Sequence, residues 1–349
     1  MKFEKTTIDS HIHLYNWFHV DGDDYFQKCD ELQQALGLKG MCINCMTDPI
    51  YGGVENNIMA ALYKLHNPTA YAHGAIAYSS YPISLPFPEG MDPLTQYREL
   101  MEIGFDGIKF LYKPDVQKLE QLPLDHAVYA PLFAQMEKDG THITWHVADP
   151  AEFWSTECNR RWNYADGTYP LYEDMMDQTY NILEKHPQLT ATFAHFMFLS
   201  QQPELLEKLF AKYPNMAIDV TPGVEMYLSF NERYDFYRAF FERYADRILF
   251  GSDAGIPKYN TNIELVKAVY LAMTGDEEVE IWKYPARGLQ LSDKSCRLIL
   301  HDNFVRRSGS QPKPVDREAL VRYVRKYLHL IRNEEKKEQI LRKIEEWEC

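Results

Sequence analysis

The stretch LTQYRELMEIGFDGIKFL, residues 94–111, contains one repeat of the pattern that decides the fold. Its first ten residues place apolar side chains near helical spacing, and Gly104 ends the helix. The apolar run at residues 107–111 then has the length of a buried strand. An amphipathic helix next to a short buried strand is the unit from which α/β folds with parallel sheets are built.

The same alternation recurs along the whole chain. Eight candidate strands can be counted, at residues 6–11, 39–45, 70–77, 107–111, 142–147, 189–194, 216–220 and 247–251. Helix-like segments include residues 24–36, 56–65, 94–103, 128–138, 203–212 and 236–244. Eight units in series, with no G-x-G-x-x-G motif after the first strand, predict a closed (β/α)8 TIM barrel rather than a doubly wound nucleotide-binding sheet.

The end of the chain is predicted to add helices to this barrel. Residues 261–307 are expected to form the helices that complete it, so the barrel domain is predicted to span residues 1–307. After the punctuation SGSQPKP, Leu320, Val324 and Tyr327 fall on one helical face. Residues 308–349 are therefore expected to form a C-terminal helical extension that packs on the barrel or on a partner subunit.

Composition narrows the class of protein. The chain has 349 residues and a formal net charge of −14, which argues against a nucleic-acid partner because such binding depends on clustered Lys and Arg. No stretch approaches the roughly 20 consecutive apolar residues of a membrane span, and the N-terminus lacks the apolar core of a signal peptide. We expect a cytoplasmic protein with reduced thiols, in which Cys42 and Cys45 are buried strand residues.

The first predicted strand ends in a potential metal-binding pair. Residues two apart on a strand point to the same face, so His11 and His13 can present two imidazoles to one ion. Three more polar residues follow other strands: His146 near the end of the fifth, His195 after the sixth and Asp253 after the eighth. Because the carboxyl ends of barrel strands converge on one face, these residues are expected to meet there.

The motifs IDSHIHLY, GFDGIKF, ITWHVADP, ATFAHF and ILFGSDAG resemble, in order and spacing, the amidohydrolase superfamily, and more closely its amidohydrolase-related branch. The resemblance covers residues 6–307 and implies a metal-dependent barrel enzyme. It makes His11, His13, His146 and Asp253 the metal ligands and His195 the catalytic histidine, with Asp253 as a proton acceptor. Neutral imidazoles and a carboxylate suit one divalent ion, with zinc favoured and manganese as an alternative.

Lys109 has two interpretations. In two-metal relatives a carbamylated lysine on the fourth strand bridges two ions, and all the parts for such a second site exist here. The favoured interpretation is a single metal ion, with Lys109 as an ammonium group that holds a substrate carboxylate.

Further substrate-binding candidates follow the fourth and fifth strands. Tyr112 lies at the end of the fourth strand, and a loop rich in aromatic and basic residues follows His146, where barrel loops form the pocket rim. Trp154 in that loop is a candidate to cover a ring, and Arg160 is a candidate to bind a carboxylate as a bidentate pair.

Three functional hypotheses remain open at this stage. The leading one is a metal-dependent hydrolase in which activated water cleaves a C–N or C–O bond of an amide, ester or lactone. The second is a nonoxidative decarboxylase of a ring carboxylic acid, which would use the same metal ligands. The third is a metal-free barrel that acts as a binding protein. In each case the expected partner is a small molecule. A carboxylate on that molecule and assembly into a homo-oligomer are further expectations.

Overall fold

A computed structural model of the protein describes residues 6–14, 22–46, 53–77, 82–158, 162–223, 225–256, 259–331 and 333–346. The strands are β1 (Ile8–Leu14), β2 (Gly40–Asn44), β3 (Tyr71–Ala75), β4 (Gly107–Tyr112), β5 (His142–Val147), β6 (Ala191–Phe193), β7 (Ala217–Asp219), β8 (Ile248–Leu249), β9 (Ala254–Ile256), β10 (Glu278–Ile281) and β11 (Tyr284–Arg287). The α-helices are α1 (Gly22–Leu36), α2 (Gly53–His66), α3 (Pro93–Ile103), α4 (Pro114–Glu120), α5 (Ala130–Asp139), α6 (Tyr172–Lys185), α7 (Pro203–Lys212), α8 (Met226–Glu232), α9 (Tyr234–Arg243), α10 (Tyr259–Thr274), α11 (Asp293–Arg297), α12 (Asn303–Ser308), α13 (Arg317–Tyr327) and α14 (Glu334–Glu345).

The main sheet follows the chain in sequence order. Strands β1 to β8 lie side by side, and each pairs in parallel with the next. Every residue of these strands is buried, which is the property of a sheet covered on both sides. The predicted (β/α)8 barrel is confirmed.

The eighth strand position is divided into two pieces, and the division closes the barrel. β8 pairs with β7, whereas β9 pairs with β1 on the other side. Between the two pieces, Ser10 N donates to Phe250 O at 3.0 Å and Asp253 N donates to His11 O at 2.9 Å. The first strand is therefore hydrogen-bonded to the segment that carries Asp253, and this line of contacts is the seam of the barrel.

Asp9 reinforces the seam from within the first strand. Its carboxylate accepts hydrogen bonds from Ser252 N at 3.1 Å and from Ser252 Oγ at 2.6 Å. Burial raises the pKa of Asp9 to about 7, against the opposing effect of these hydrogen bonds.

A buried polar network links α12 to the strands at the opposite end of the barrel. Ser308 Oγ lies 2.7 Å from His142 Nδ1, and His142 Nε2 lies 2.8 Å from Thr192 Oγ1. His73 Nδ1 bonds Thr144 Oγ1 at 2.8 Å, and the rings of His73 and His142 meet edge to face. Burial, together with the positive charges of Lys109 and Lys64, lowers the pKa of His73 to about 3, so this ring is neutral at pH 7.

The prediction that residues 261–307 are all helical is wrong. β10 and β11 form an antiparallel hairpin within that range, with Ile281 paired to Tyr284 across a two-residue turn. The turn residues, Trp282 and Lys283, are not the Asn and Gly that mark such turns, and Pro285 in the second strand is a residue that argues against a strand in a sequence. The usual sequence signals of a hairpin are therefore missing.

The C-terminal helices lie on the outside of the barrel. Asn57 Nδ2 of α2 donates to Tyr323 Oη of α13 at 2.9 Å, and Tyr327 of α13 donates to Glu99 of α3 at 2.7 Å. The predicted face of α13 is buried. The division of the chain at residues 307 and 308 into two domains stays a prediction.

Two remaining expectations concern thiols and membranes. Cys42 and Cys45 are buried at β2, and the described cysteines form no disulfide. Among the described residues, no helix combines the length and apolar character that a membrane crossing requires.

Candidate metal centre

The alternation of side chains along β1 brings two imidazoles together. His11 and His13 both point into the barrel mouth and both are buried. Their Nε2 atoms lie 3.2 Å apart. Two nitrogens bound at about 2.0–2.1 Å to a tetrahedral zinc ion would be roughly 3.3 Å apart, so this spacing fits a shared cation.

Hydrogen bonds on the far side of each ring fix which nitrogen carries the proton. His11 Nδ1 lies 2.8 Å from the Asp219 carboxylate, and His13 Nδ1 lies 2.7 Å from the carbonyl oxygen of Asn44. Both partners are acceptors, so Nδ1 is the donor in each ring and the neutral ring has a lone pair on Nε2. Two lone pairs that face each other at 3.2 Å repel unless a positive charge lies between or beside them.

Asp253 completes a group of three donors. One of its carboxylate oxygens lies 3.1 Å from His13 Nε2, and the donor atoms of His11, His13 and Asp253 all lie within 4.8 Å of one another. The backbone of Asp253 is left-handed, with φ of 57°, because its N–H turns back to His11 at the seam. Burial would raise the pKa of Asp253, but the neighbouring imidazoles of His13, His195 and His11 lower it well below its usual range.

Lys109 supplies positive charge beside this group. It is buried on β4, and its Nζ lies 2.9 Å from His11 Nε2. Burial lowers the pKa of Lys109 to about 8, against the attraction of Asp219 and Asp253, so the ammonium form prevails at neutral pH. The ammonium group thus places a positive charge beside the Nε2 lone pair of His11. Lys109 is not part of the lining of the cavity over this group. Its predicted contact with a substrate carboxylate stays a prediction.

His146 lies beside the group of His11, His13 and Asp253 but is not part of it. Its Nε2 lies 3.0 Å from the carbonyl oxygen of Ala148 and 3.3 Å from Asp149, so Nε2 carries the proton and Nδ1 the lone pair. Tyr164 donates to the other oxygen of Asp149 at 2.5 Å and holds this carboxylate in place. The role of His146 as a further metal ligand stays a prediction, and Nδ1 is the atom that would serve.

His195 faces the same region from a strained turn. It begins a 3-10 turn, His195–Phe198, in which all four residues have positive φ. Its Nδ1 donates to Pro222 O at 3.1 Å, so its Nε2 has the lone pair, and its ring lies 4.8 Å from that of His146 and 5.9 Å from that of His11. Burial, together with the neighbouring His146, lowers the pKa of His195 to about 4 and keeps the ring neutral at pH 7.

A cavity of about 190 Å³ lies over this group. His13, His146, His195 and Asp253 all contribute to its lining. The remaining lining includes Lys113, Asp149, Phe153, Trp162, Phe198 and Trp282. Apolar walls above a few convergent polar groups are the usual composition of a small-molecule site.

The other predicted substrate-binding residues lie away from this cavity or outside the described residues. Tyr112 is buried, and its hydroxyl contacts Leu122 O at 3.1 Å and Gln178 Oε1 at 3.0 Å. Trp154 donates from Nε1 to Pro170 O at 2.8 Å and packs on Tyr164. Neither residue is part of the cavity lining. Arg160 lies outside the described residues.

Three residues that shape the site are not among those predicted from the sequence. Asp219 and Asn44 fix the tautomers of His11 and His13, and Trp282 lines the cavity. A signal for Asp219 existed, because an aspartate at the end of a short apolar strand lies at the same barrel face as the histidines. Asn44 acts through its backbone carbonyl, so its residue type could not reveal the contact.

The fold and the site together define a class of protein. A (β/α)8 barrel carries two histidines on its first strand and an aspartate after its eighth, and these three side chains could hold a metal ion at the carboxyl ends of the strands. The sequence matches the family model described as Amidohydrolase over residues 80–304, which is more than half of the chain. The protein belongs to this amidohydrolase family. No curated protein matches the sequence.

Solved structures with the same fold are distant in sequence. A TIM-barrel protein from Bordetella bronchiseptica is 15% identical, with a TM-score of 0.55 over 86% of this chain and 97% of its own. The 2,6-dihydroxybenzoate decarboxylase from Rhizobium is 15% identical, with a TM-score of 0.52 over 88% and 98%. The 4-oxalomesaconate hydratase from Rhodopseudomonas palustris is 14% identical, with a TM-score of 0.53 over 86% and 95%. At these identities the likeness shows the fold.

Proposed function

We propose that this protein is a metal-dependent hydrolase that cleaves a C–N or C–O bond of a small organic substrate such as an amide, ester or lactone. One observation carries the proposal. The Nε2 lone pairs of His11 and His13 face each other at 3.2 Å, with the Asp253 carboxylate beside them, and the partners of both rings hold this protonation pattern. These three residues would hold one divalent cation, zinc or manganese, with His146 as an additional ligand.

A divalent cation bound there would act as a Lewis acid and would lower the pKa of its bound water to about 7. Residues of the protein would then accept the proton of that water and form hydrogen bonds with the substrate. Asp253 remains a carboxylate at neutral pH because its pKa is lowered, so it can accept the proton that an attacking water loses. His195 remains neutral, and its Nε2 lone pair can accept a hydrogen bond from water or from a substrate N–H or O–H.

Nonoxidative decarboxylation of a ring carboxylic acid is the second candidate function. The observation that favours it is the aromatic lining of the cavity, with Phe153, Phe198 and Trp162 together with the cationic Lys113. The similar fold of 2,6-dihydroxybenzoate decarboxylase supports the same alternative. Such a reaction would use the same metal ligands. Asp253 or His195 would take up a proton from water and deliver it to the ring carbon as carbon dioxide leaves.

The test combines metal analysis with two product assays. Protein stripped with a chelator and reloaded with zinc or manganese is offered a panel of amides, esters, lactones and aromatic carboxylic acids. We expect hydrolysis that depends on the added metal, and we expect His13→Gln to lose both the metal and the activity. His301→Gln is the matched control, because His301 contacts Lys39 and Asp302 and lies outside the cavity lining.

Two results would overturn the hydrolase proposal in different ways. Release of carbon dioxide from a ring acid, without consumption of water, would establish the decarboxylase instead. A protein that binds neither zinc nor manganese would leave the barrel as a metal-free binding protein. A second ion with carbamylated Lys109 would be seen as two equivalents of metal and a mass increase at that lysine.

Three expectations from the sequence accompany the proposal. We propose a cytoplasmic location, a small and carboxylated substrate, and assembly with further copies of the chain. Size determination in solution and localisation of a tagged protein test the first and the last of these.

A further inference from the structure

Two exposed tryptophans belong to the same cavity. Among the described residues, the exposed large apolar side chains are Leu85, Leu119, Trp162, Leu171 and Trp282. Trp162 is 44% exposed and Trp282 is 42% exposed, and both line the cavity over the metal-binding group. They come from different parts of the chain, Trp162 from the loop after β5 and Trp282 from the hairpin after α10. Large aromatic surfaces left open to solvent at a cavity mouth are typical of contact with a ligand.

The backbone of the hairpin holds Trp282 in an unfavourable conformation. Trp282 and Lys283 are the central residues of the turn and have φ of 50° and 71°. A two-residue turn with positive φ at both positions favours Asn and Gly, and a bulky residue at positive φ is a strained choice. Residues in such conformations cluster at ligand-binding and active sites, which makes the turn that carries the Trp282 indole a candidate for contact with a ligand.

Contacts with α8 and its neighbour fix where the hairpin stands. Asn231 Nδ2 donates to Pro285 O at 2.7 Å, and Asn231 Oδ1 accepts from Arg287 N at 2.9 Å. The guanidinium carbon of Arg287 lies 3.8 Å from the centre of the Tyr234 ring. The position of Trp282 is therefore set by a supported hairpin and not by a free loop.

A cation lies beside the other tryptophan. Lys113 Nζ is 5.5 Å from the centre of the Trp162 ring and 3.4 Å from Asp115, and its side chain is nearly buried in the cavity lining. The Trp162 ring is nearly parallel to that of Phe153. The cavity thus combines aromatic surfaces with a positive charge on one wall.

We propose that Trp282 and Trp162 form an aromatic rim that selects a flat ring bearing a carboxylate, with Trp282 as the specificity-determining residue. The proposal deepens the function proposed above and shares its cavity, but the rim itself contains no metal ligand. A flat ring stacks on an indole, whereas a saturated ring of similar size is puckered and loses that contact. Lys113 attracts the carboxylate regardless of the shape of the ring.

The test compares two probes that differ in flatness, benzoate and cyclohexanecarboxylate. Their dissociation constants are measured by titration calorimetry on zinc-loaded and on chelator-treated protein. We expect the wild type to bind benzoate about 2- to 13-fold more tightly, the ratio that an aromatic pair provides. Trp282→Leu should bring the ratio close to one, and Trp282→Phe should preserve it.

Two further variants separate the rim from its surroundings. Lys283→Asn changes the same turn at a residue outside the cavity lining and should keep the wild-type ratio. Lys113→Met should weaken both probes equally. The proposal is overturned if Trp282→Leu, folded by circular dichroism, keeps the wild-type ratio, or if neither probe binds the wild type. Discrimination that survives in a protein unable to bind zinc would refute the metal-dependent function and leave the rim intact.

Discussion

Replacement of Asp219 by asparagine should weaken metal binding although every proposed metal ligand is unchanged. One carboxylate oxygen of Asp219 accepts from His11 Nδ1 at 2.8 Å. The other accepts from His195 N at 2.9 Å, from Thr221 N at 3.1 Å and from the Thr221 hydroxyl. An asparagine has only one oxygen. The backbone N–H groups of His195 and Thr221 need an acceptor, so this oxygen would face them. Its NH2 group would then face His11 Nδ1 and would favour the tautomer with the proton on Nε2.

That tautomer has no lone pair where the metal must bind. Recovery of the binding form would cost the hydrogen bond on Nδ1 and would leave a donor facing a donor. Loss of such a partner behind a metal-bound histidine weakens metal affinity about 10- to 100-fold. This corresponds to about 1.4–2.8 kcal/mol at 25 °C.

The assay for Asp219→Asn is competition for zinc against a chromophoric chelator, with circular dichroism to verify the fold. Asp30→Asn is the matched control, because Asp30 lies 2.7 Å from His66 Nε2 in another histidine–carboxylate pair, outside the metal-binding group. We expect the control to bind zinc like the wild type. A folded Asp219→Asn protein with undiminished zinc affinity would show that Asp219 does not govern the tautomer of His11.

Three more substitutions test other parts of the structure. Lys109→Met removes a buried ammonium group 2.9 Å from His11 Nε2. Because this charge repels a bound cation, the variant should bind zinc more tightly at pH 7 in the same chelator competition. A loss of affinity would instead indicate a carbamylated lysine that binds metal. The pKa of His73 is about 3 in the folded state and 6.5 without the fold, so the unfolded chain binds the proton first and stability falls as the pH drops below 6.5. Between pH 6.5 and 4.5 the wild type should lose about 2 kcal/mol more unfolding free energy in urea than His73→Gln, and equal losses would contradict this. Asn303→Leu removes donors to the carbonyls of Ala245 and Ile248, at 2.7 and 2.6 Å, and should cost about 2–4 kcal/mol of unfolding free energy. The melting temperature in calorimetry should fall by about 3–5 °C, and an unchanged temperature would refute that role.

The barrel could be predicted from the sequence because each of its strands leaves a local signal. All eight predicted strands are present, and buried parallel strands read as short apolar runs. The boundary of the first was misjudged, since β1 continues past His11 through Ile12 and His13 to Leu14. The hairpin at Glu278–Arg287 left no such signal, because its turn is strained and lacks Asn and Gly.

The site could be predicted only as far as strand ends reveal it. His11, His13 and Asp253 are brought together, as the convergence of strand ends requires. The alternation of β4 could have been used further, since Lys109 and Leu111 share the inner face and Tyr112 must then point outward. The side-chain direction of His146 and the partner of His11 depend on hydrogen bonds that form only in the assembled barrel.

The seam has a consequence for how the protein comes apart. It joins Ser10 to Phe250, which are 240 positions apart, and contacts between such distant residues form at a high entropic cost of loop closure. A cation bound by both His13 and Asp253 would crosslink the first strand to the last at the seam. Metal loading should therefore lengthen the lifetime of the whole barrel against unfolding, and chelation should open it along this line first.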